Sequence, residues 1–228
     1  MVKRLQRGLG ALLALGVVTF AVAACGSDDD AEPAASSASE TVAEGECQEV
    51  EAPAPKPDTF ERAEPVLERG EPATATVETS CGSFEIELDT ESSPKTANSF
   101  AFLAEQGFYD GTTFHRIAPG FVIQGGDPNG DGTGGPGYSV IEAPPQNTVY
   151  SRGLVAMAKT GNEPPGTSGS QFFVVTAPAD AGLPPDYAVL GEVSSGEPVV
   201  DLIAALGDPA TEQPLQVVTI DSVTVGSE

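Results

Sequence analysis

The stretch that decides the fold is FYDGTTFHRIAPGFVIQGGDPNGDGTGG, residues 108–135. Two of its runs, TTFHRI and FVIQ, are rich in β-branched and aromatic residues and flank an Ala-Pro-Gly turn, a pattern that predicts a β-hairpin. A glycine-rich loop follows the second run. Antiparallel pairing across the turn would bring the side chains of Arg116, Phe121 and Gln124 within reach of one another. The hairpin therefore predicts a surface site made of a guanidinium, an aromatic ring and an amide.

Further strands and two helices are predicted on both sides of this hairpin. ATATVET (73–79) and SFEIELD (83–89) alternate apolar and polar residues, as in a second hairpin. Ser93 as N-cap and Pro94 at the first helical position predict a helix that ends at Gly107. A second helix is predicted over residues 197–206. Four more strands are predicted: RGLVAMA (152–158), QFFVVT (171–176), AVLGEV (188–193) and LQVVTIDSVTV (215–225).

These elements predict a mainly β fold. About eight strands and two helices suit a closed eight-stranded antiparallel barrel that is capped by two α-helices. A β-sandwich with peripheral helices is the alternative. Because a small barrel is filled with side chains, we expect a functional site on its outer face or rim.

The composition is strongly acidic. The formal net charge is -24, and the first 24 residues hold three of the ten basic residues and no acidic one. Their removal leaves 7 Lys and Arg against 34 Asp and Glu, or -27. Such a surface repels phosphate backbones, so we expect no nucleic-acid partner.

The first 24 residues have the features of a signal peptide. Three basic residues precede an apolar run over residues 9–22, which is shorter than the ~20 residues of a membrane span. The run ends in VAAC (22–25), which resembles the lipobox of bacterial lipoproteins and implies cleavage before Cys25 and acylation of its sulfur. An ordinary signal peptide with an incidental cysteine is the alternative.

We predict three segments: a lipoprotein signal peptide (1–24), a flexible acidic tether rich in Ala, Pro and Ser (25–70), and a folded domain (71–228). A lipid on Cys25 would hold the chain on the extracytoplasmic face of the bacterial cell membrane. In that oxidising setting a disulfide between Cys47 and Cys81 is favoured, and two unrelated free thiols are the alternative.

Several common chemistries do not fit the sequence. The single histidine, His115, and the lack of a G-x-S-x-G motif argue against a Ser-His-Asp triad, and a histidine-rich metal site is impossible. Residues 130–135 match G-x-G-x-x-G, but Pro136 follows where a dinucleotide-binding loop needs a helix. We therefore expect neither a metal nor a cofactor. Calcium is a minor alternative, because Asp127, Asn129 and Asp131 match the opening of an EF-hand loop, but Tyr138 stands where that loop needs a glutamate.

Together with residues 108–135, the segments GLVAMAKTG, GTSGSQFF and LPPDYAVLGEV resemble, in the same order, those of the cyclophilins, which are peptidyl-prolyl cis/trans isomerases. The resemblance covers roughly residues 72–228. It implies an eight-stranded antiparallel barrel capped by two helices, and non-covalent rotation of X-Pro bonds in proline-containing polypeptides.

The resemblance also implies roles for individual residues. Arg116 matches the catalytic arginine, Phe121 the floor of the proline pocket, and Gln124 the glutamine that binds the substrate backbone. The predicted substrate-binding set further contains Val122, Ala158, Lys159, Gln171, Phe173, Leu183, Tyr187 and His115. For His115 we favour a hydrogen-bonded structural role over a place in the site, because it alternates with Arg116 along a strand and only one of the two can face the site.

The sequence departs from the family pattern at four positions. Val122 stands where many members have methionine, Lys159 where they have asparagine, and Gly182 where they have tryptophan. Tyr187 replaces a histidine and can supply a similar ring with a polar tip.

We therefore expect a monomeric, lipid-anchored prolyl isomerase that acts on exported proteins. One alternative is a catalytically weak module on the cell envelope that binds proline-containing peptides or acts as a chaperone. A second is a structural envelope lipoprotein that binds no peptide.

Overall fold

The computed structural model describes residues 45–56 and 58–227. The hairpin predicted before the first helix consists of β1 (Ala73–Thr79) and β2 (Gly82–Leu88), which pair antiparallel. Gly82 turns the chain at a φ of 109°, in a region that disfavours residues with a Cβ. Because side chains alternate between the two faces of a strand, the apolar residues at every second position face the core.

Most of the strands belong to one antiparallel sheet. The other strands are β3 (Thr112–Thr113), β4 (Arg116–Ala118), β5 (Val122–Gly125), β6 (Val140–Ile141), β7 (Leu154–Met157), β8 (Thr167–Ser168), β9 (Phe172–Val175), β10 (Val189–Ser195) and β11 (Thr219–Ser227). Nine strands form the sheet, in the order β3-β11-β1-β2-β10-β7-β9-β5-β4, and β6 pairs with β8 separately.

The mainly β fold with two helices is confirmed, but the closed eight-stranded barrel is wrong. The sheet has nine strands and is an open half-barrel, because its end strands, β3 and β4, do not pair with each other in the described part of the chain. Both belong to the segment 112–118, whose first part pairs with β11 and whose second part pairs with β5. Between them, Phe114 donates its amide hydrogen to the Val218 carbonyl at 3.0 Å. One short segment thus supplies both edges of the sheet.

The part of the chain that the structure describes contains two helices, α1 (Pro94–Glu105) and α2 (Glu197–Ala204). Ser93 occupies the predicted N-cap position of α1, but its side chain makes no capping hydrogen bond. Instead, the Glu142 carboxylate accepts hydrogen bonds from the amides of Lys95 at 3.3 Å and Thr96 at 2.8 Å. A carboxylate suits this place because the N-terminus of a helix carries partial positive charge.

Apolar side chains form two buried clusters on opposite faces of the sheet. Along β9, Phe172 and Val174 belong to the large interior cluster, whereas Phe173 and Val175 belong to a smaller outer cluster. The outer cluster consists of Ala118, Val122, Tyr150, Ala156, Phe173, Val175 and Ala177. Side-chain alternation along β5, β7 and β9 therefore provides an apolar surface outside the filled interior.

The predicted tether over residues 25–70 extends too far into the folded part of the chain. Residues 46–56 and 58–69, which we call the N-terminal strap, lie against the domain. Cys47 forms a disulfide with Cys81, and the Phe60 ring lies 5.4 Å from that of Phe102, centre to centre. The Lys56 ammonium group donates to the Gly107 carbonyl at 2.8 Å. These scattered anchors leave no periodic pattern in the sequence, which explains the misplaced boundary.

The predicted signal peptide, Cys25 and the first part of the tether lie outside the described residues. Within the described ranges, neither helix is long and apolar enough to cross a membrane.

Candidate functional site

A cavity of about 280 Å³ opens beside the outer apolar cluster. It is lined by Arg116, Phe121, Val122, Gln124, Ala158, Lys159, Phe173, Leu183 and Tyr187. The structure thus brings together nine of the eleven side chains that the sequence assigned to catalysis or substrate binding. The two that do not line this cavity are Gln171 and His115.

Strand pairing places the polar side of the cavity. Arg116 in β4 lies opposite Gln124 in β5, and Gln124 lies opposite Phe173 in β9. The Arg116 Nη1 donates to the Gln124 Oε1 at 3.3 Å, and the Gln124 Nε2 donates to the Gln171 Oε1 at 3.0 Å. The guanidinium carbon of Arg116 lies 5.7 Å from the centre of the Phe121 ring. Arg116, Phe121 and Gln124 therefore lie together, as the hairpin predicted. Gln171 holds the Gln124 side chain through a hydrogen bond.

Arg116 has a second partner, Glu212, that the sequence analysis missed. The Arg116 Nε donates to the Glu212 Oε2 at 2.7 Å, which makes an ion pair with half-exposed partners. Glu212 lies 96 residues further along the chain, in the loop between α2 and β11. No local pattern marks it, because only the fold brings this loop to β4.

The apolar side of the cavity is a group of aromatic rings. The centres of the Phe173 and Tyr187 rings are 5.5 Å apart, with the rings at 86° to each other. The buried Tyr150 ring lies 6.0 Å from that of Tyr187, also edge to face. Edge-to-face packing is favourable and holds the ring planes at fixed angles. Phe173 and Tyr187 therefore form a packed aromatic side of the cavity, with Tyr150 behind Tyr187.

Tyr150 fixes Tyr187 through its hydroxyl group. The hydroxyl donates to the Tyr187 carbonyl at 2.7 Å and accepts from the Tyr187 amide at 3.0 Å. We expect Tyr150→Phe to lower the free energy of unfolding by about 1–3 kcal/mol, because two partly buried backbone groups lose their partner. Chemical denaturation measures this change. Tyr187→Phe is the control, since no hydrogen bond within the described residues uses its hydroxyl, and an equal loss in both variants would contradict the bridging role.

Lys159 lines the cavity beside the Tyr187 ring. Its ammonium group lies 5.6 Å from the centre of the Tyr187 ring and donates to the Thr160 and Glu163 carbonyls, each at 3.2 Å. The preceding residue, Ala158, donates its amide hydrogen to the Gln171 carbonyl at 2.8 Å. These contacts fix the groove edge between β7 and β9.

A second cavity of about 490 Å³ adjoins the first and shares Gln124, Ala158 and Lys159 with it. Gln171 lines this second cavity, where its Nε2 donates to the Gly132 and Gly134 carbonyls at 3.1 Å and 3.0 Å. The glycine-rich loop is therefore one wall of a continuous groove.

His115 does not belong to the groove, which corrects its place in the predicted binding set. It lines neither cavity, and a Cβ built on Gly132 would lie 3.8 Å from its ring. His115 lies between β3 and β4, outside both strands, and its ring lies beside Gly132 of the glycine-rich loop. The His115 Nδ1 is buried without a hydrogen-bond partner in the described residues.

The burial of His115 predicts a pH dependence of stability. Burial lowers the pKa of His115 below its ordinary value of 6.5, and the nearby Asp127 carboxylate opposes this shift only in part. The unfolded chain therefore binds the proton more readily, so the free energy of unfolding should fall as the pH drops from about 7. Denaturation between about pH 7.5 and pH 5.5 should show a smaller slope for His115→Gln. An unchanged slope would contradict this assignment.

The glycine-rich loop is organised by its own carboxylate. The buried Asp127 accepts hydrogen bonds from the amides of Asn129 at 3.0 Å, Asp131 at 3.0 Å and Gly132 at 2.5 Å. Within residues 45–56 and 58–227, no group of three or more His, Cys, Asp or Glu side chains could hold a metal ion.

Comparison with known proteins agrees with this geometry. Residues 74–225 match the model of the family described as cyclophilin type peptidyl-prolyl cis-trans isomerase/CLD. Peptidyl-prolyl cis-trans isomerase B of Streptomyces anulatus is 45% identical over 170 residues, which are 66% of this chain and 95% of that protein. The corresponding protein of Bacillus subtilis is 47% identical over 113 residues, which are 49% of this chain and 76% of that protein.

Solved structures are similar as well. A cyclophilin-type peptidyl-prolyl cis-trans isomerase of Cryptosporidium parvum superposes with a TM-score of 0.62 at 30% identity, over 69% of this chain and 99% of that one. The same protein, crystallised in the presence of the dipeptide Ala-Pro, gives a TM-score of 0.61 at 29% identity, over 68% of this chain and 99% of that one.

Proposed function

The chain belongs to the cyclophilin-type peptidyl-prolyl cis-trans isomerases, and we propose that it rotates X-Pro bonds of exported proteins with Arg116 as the catalytic residue. One observation carries this proposal. The Arg116 guanidinium, the Phe121 ring and the Gln124 amide meet at a single cavity of about 280 Å³ with an apolar wall. In that arrangement the apolar wall can bind the prolyl ring of a substrate, while the guanidinium contacts the X-Pro amide as it rotates.

The chemical problem is the stiffness of the amide. Resonance gives the C–N bond partial double-bond character, and the barrier to rotation is about 18–20 kcal/mol. Twisting the bond restores the lone pair of the prolyl nitrogen, which then becomes a hydrogen-bond acceptor. A donor aimed at that nitrogen binds the twisted state more strongly than the planar state and so lowers the barrier.

Arg116 is suited to supply this donor. Its Nε donates a hydrogen bond to Glu212, and its Nη1 donates one to Gln124. Within the described residues no hydrogen bond uses its Nη2, so that group and the second Nη1 hydrogen remain for the substrate. A guanidinium stays charged at any physiological pH, and no proton transfer or covalent intermediate is needed.

The guanidinium is not sufficient by itself. A hydrogen bond to a charged group contributes about 1.5–3 kcal/mol, and each tenfold gain in rate needs about 1.4 kcal/mol. The apolar side chains that line the cavity, among them Val122, Phe173 and Leu183, contribute by holding the ring, while Gln124 orients the peptide backbone. Water that a bound prolyl ring displaces from the cavity would no longer screen the charge of Arg116.

The activity is tested with an Ala-Pro peptide whose cis and trans forms give separate NMR signals. We expect catalytic amounts of the protein to accelerate their exchange and the rate to saturate with peptide. A peptide with alanine in place of proline should not compete. Binding of the Ala-Pro peptide without acceleration would refute the proposed catalysis and leave the weak binding module.

Two features support the proposed location outside the cytoplasm: the amino-terminal sequence and the disulfide of the N-terminal strap. The VAAC motif at residues 22–25 supports a lipid anchor on Cys25, and the Cys47–Cys81 disulfide suits an oxidising compartment. We further propose that the chain acts as a monomer and binds proline-containing polypeptides at the membrane surface.

The anchor predicts a modified amino terminus. Mass spectrometry of the membrane fraction should find the mature chain beginning at an acylated Cys25, and Cys25→Ser should release the protein from the membrane. An unmodified Cys25 in membrane-bound protein would contradict the anchor while leaving the isomerase activity untouched.

A further inference from the structure

We propose that Glu212 is a positioning residue, whose carboxylate holds the Nε edge of Arg116 so that the Nη edge faces the proline-binding cavity. This inference rests on the proposed function, because it assigns a role in orienting the catalytic guanidinium. Glu212 does not line the cavity itself. It acts on the substrate only through Arg116.

The contacts of Arg116 fix the guanidinium from two sides. The Glu212 carboxylate binds Nε at 2.7 Å, and the Gln124 amide oxygen binds Nη1 at 3.3 Å. Because a guanidinium is planar, two hydrogen bonds on different nitrogens define the direction of the remaining N–H groups. Without Glu212 the side chain could rotate about its outer bonds and keep only the longer contact. Orientation before binding reduces the freedom that is lost when the substrate arrives.

The backbone of Glu212 is held in an unusual conformation beside Arg116. Its φ is 57°, the only positive φ of a non-glycine residue in the described part of the chain. Left-handed backbone is unfavourable for a residue with a Cβ, and glycine or asparagine would adopt it more readily. The position therefore carries a side chain that does not suit its backbone, and within residues 45–56 and 58–227 the one hydrogen bond of that side chain is to Arg116.

Hydrogen bonds of the loop overcome this strain and tie Glu212 to β4. The Glu212 amide donates to the Asp208 carbonyl at 2.8 Å, and the Glu212 carbonyl accepts from the Ile117 amide at 2.9 Å. Ile117 directly follows Arg116, so backbone and side chain of Glu212 hold two consecutive residues of the same strand. The Asp208 carboxylate braces the loop by accepting from the amides of Ala210 and Thr211 at 2.7 Å and 3.1 Å. Strain that persists under such support is typical of functional positions.

Glu212→Gly and Glu212→Asn test the role without harming the fold, since both residues accept the left-handed backbone and neither can reach Arg116. We expect each to lower kcat for an Ala-Pro peptide about tenfold, with KM within about twofold and no fall in Tm. Glu105→Gln, at the exposed end of α1, is the matched control because its side chain makes no hydrogen bond in the described residues, and it should keep the wild-type kcat.

An NMR signal of Arg116 tests the geometry without reference to activity. The Nε–H of Arg116 should exchange slowly with water in the wild type and in Glu105→Gln, and rapidly in both Glu212 variants. In addition, Glu212→Gly should change kcat little in an Arg116→Lys background, because lysine has no Nε to hold.

The outcomes separate the two proposals. Wild-type kcat or a wild-type Nε–H exchange rate in both Glu212 variants would overturn the positioning role, while a low rate in Arg116→Ala would leave the proposed catalysis intact. Wild-type activity in Arg116→Ala would overturn the proposed catalysis, and the positioning role would fall with it.

Discussion

Replacement of Arg116 by alanine is expected to lower kcat/KM for an Ala-Pro peptide by about 10²- to 10³-fold. Removing one donor that stabilises developing charge has an effect of this size in other enzymes. The donor contributes most in the twisted state, so kcat should carry most of the loss and the affinity for the peptide should change little. Single-turnover isomerisation at several peptide concentrations separates the two quantities.

Two variants make the interpretation specific. Arg62→Ala removes another arginine, which pairs with Glu64 at an exposed site in the strap, and it should keep the wild-type kcat/KM. Arg116→Lys keeps the positive charge but loses the planar fork that binds Glu212 and Gln124, so it should remain strongly impaired. Full activity of Arg116→Lys would show that charge alone is sufficient and that the orientation of the guanidinium is irrelevant.

Replacement of both Cys47 and Cys81 by serine is expected to lower the free energy of unfolding by about 3–4 kcal/mol. The disulfide joins residues that are 34 apart in sequence, and closing a loop of that length reduces the entropy of the unfolded chain by a corresponding amount. Urea denaturation of the oxidised wild type and of the double variant measures the difference. Neither cysteine lines the cavity, so the folded double variant should retain its kcat/KM.

Reduced wild-type protein is the companion measurement for the disulfide, because it has the same side chains and lacks only the bond. It should unfold at nearly the same urea concentration as the double variant. Equal midpoints for oxidised and reduced wild type would show that the strap is held without the disulfide, through contacts such as those of Lys56 and Phe60.

Several of the regular elements could be predicted because their signals are local, whereas the two-residue strands β6 and β8 were missed. Alternation predicted β1 and β2 to within a residue, and Ser93-Pro94 predicted the start of α1. The closure of the sheet was predicted wrongly, since β3 and β4 are two pieces of a segment that appears as one strand in the sequence. The position at which pairing changes from β11 to β5 depends on tertiary contacts of Phe114, which the sequence pattern does not encode.

The residues of the candidate site likewise fall into those that local sequence predicts and those that only the fold brings together. Arg116, Phe121 and Gln124 could be placed together because one hairpin carries all three. Glu212 and Tyr150 could not be found, because their contacts span 96 and 37 residues and depend on loops. The place of His115 could not be derived, because alternation along a predicted strand does not tell which of His115 and Arg116 faces the groove, and His115 lies outside β3 and β4.

The central claim is that the guanidinium of Arg116 favours a twisted prolyl amide over a planar one. NMR exchange spectroscopy of one Ala-Pro peptide, with wild type and Arg116→Ala at equal saturation, measures binding and rotation in the same sample. We predict dissociation constants within about threefold of each other, together with rapid cis/trans exchange for the wild type and near-background exchange for the variant. Equal exchange rates for the two proteins would contradict the account.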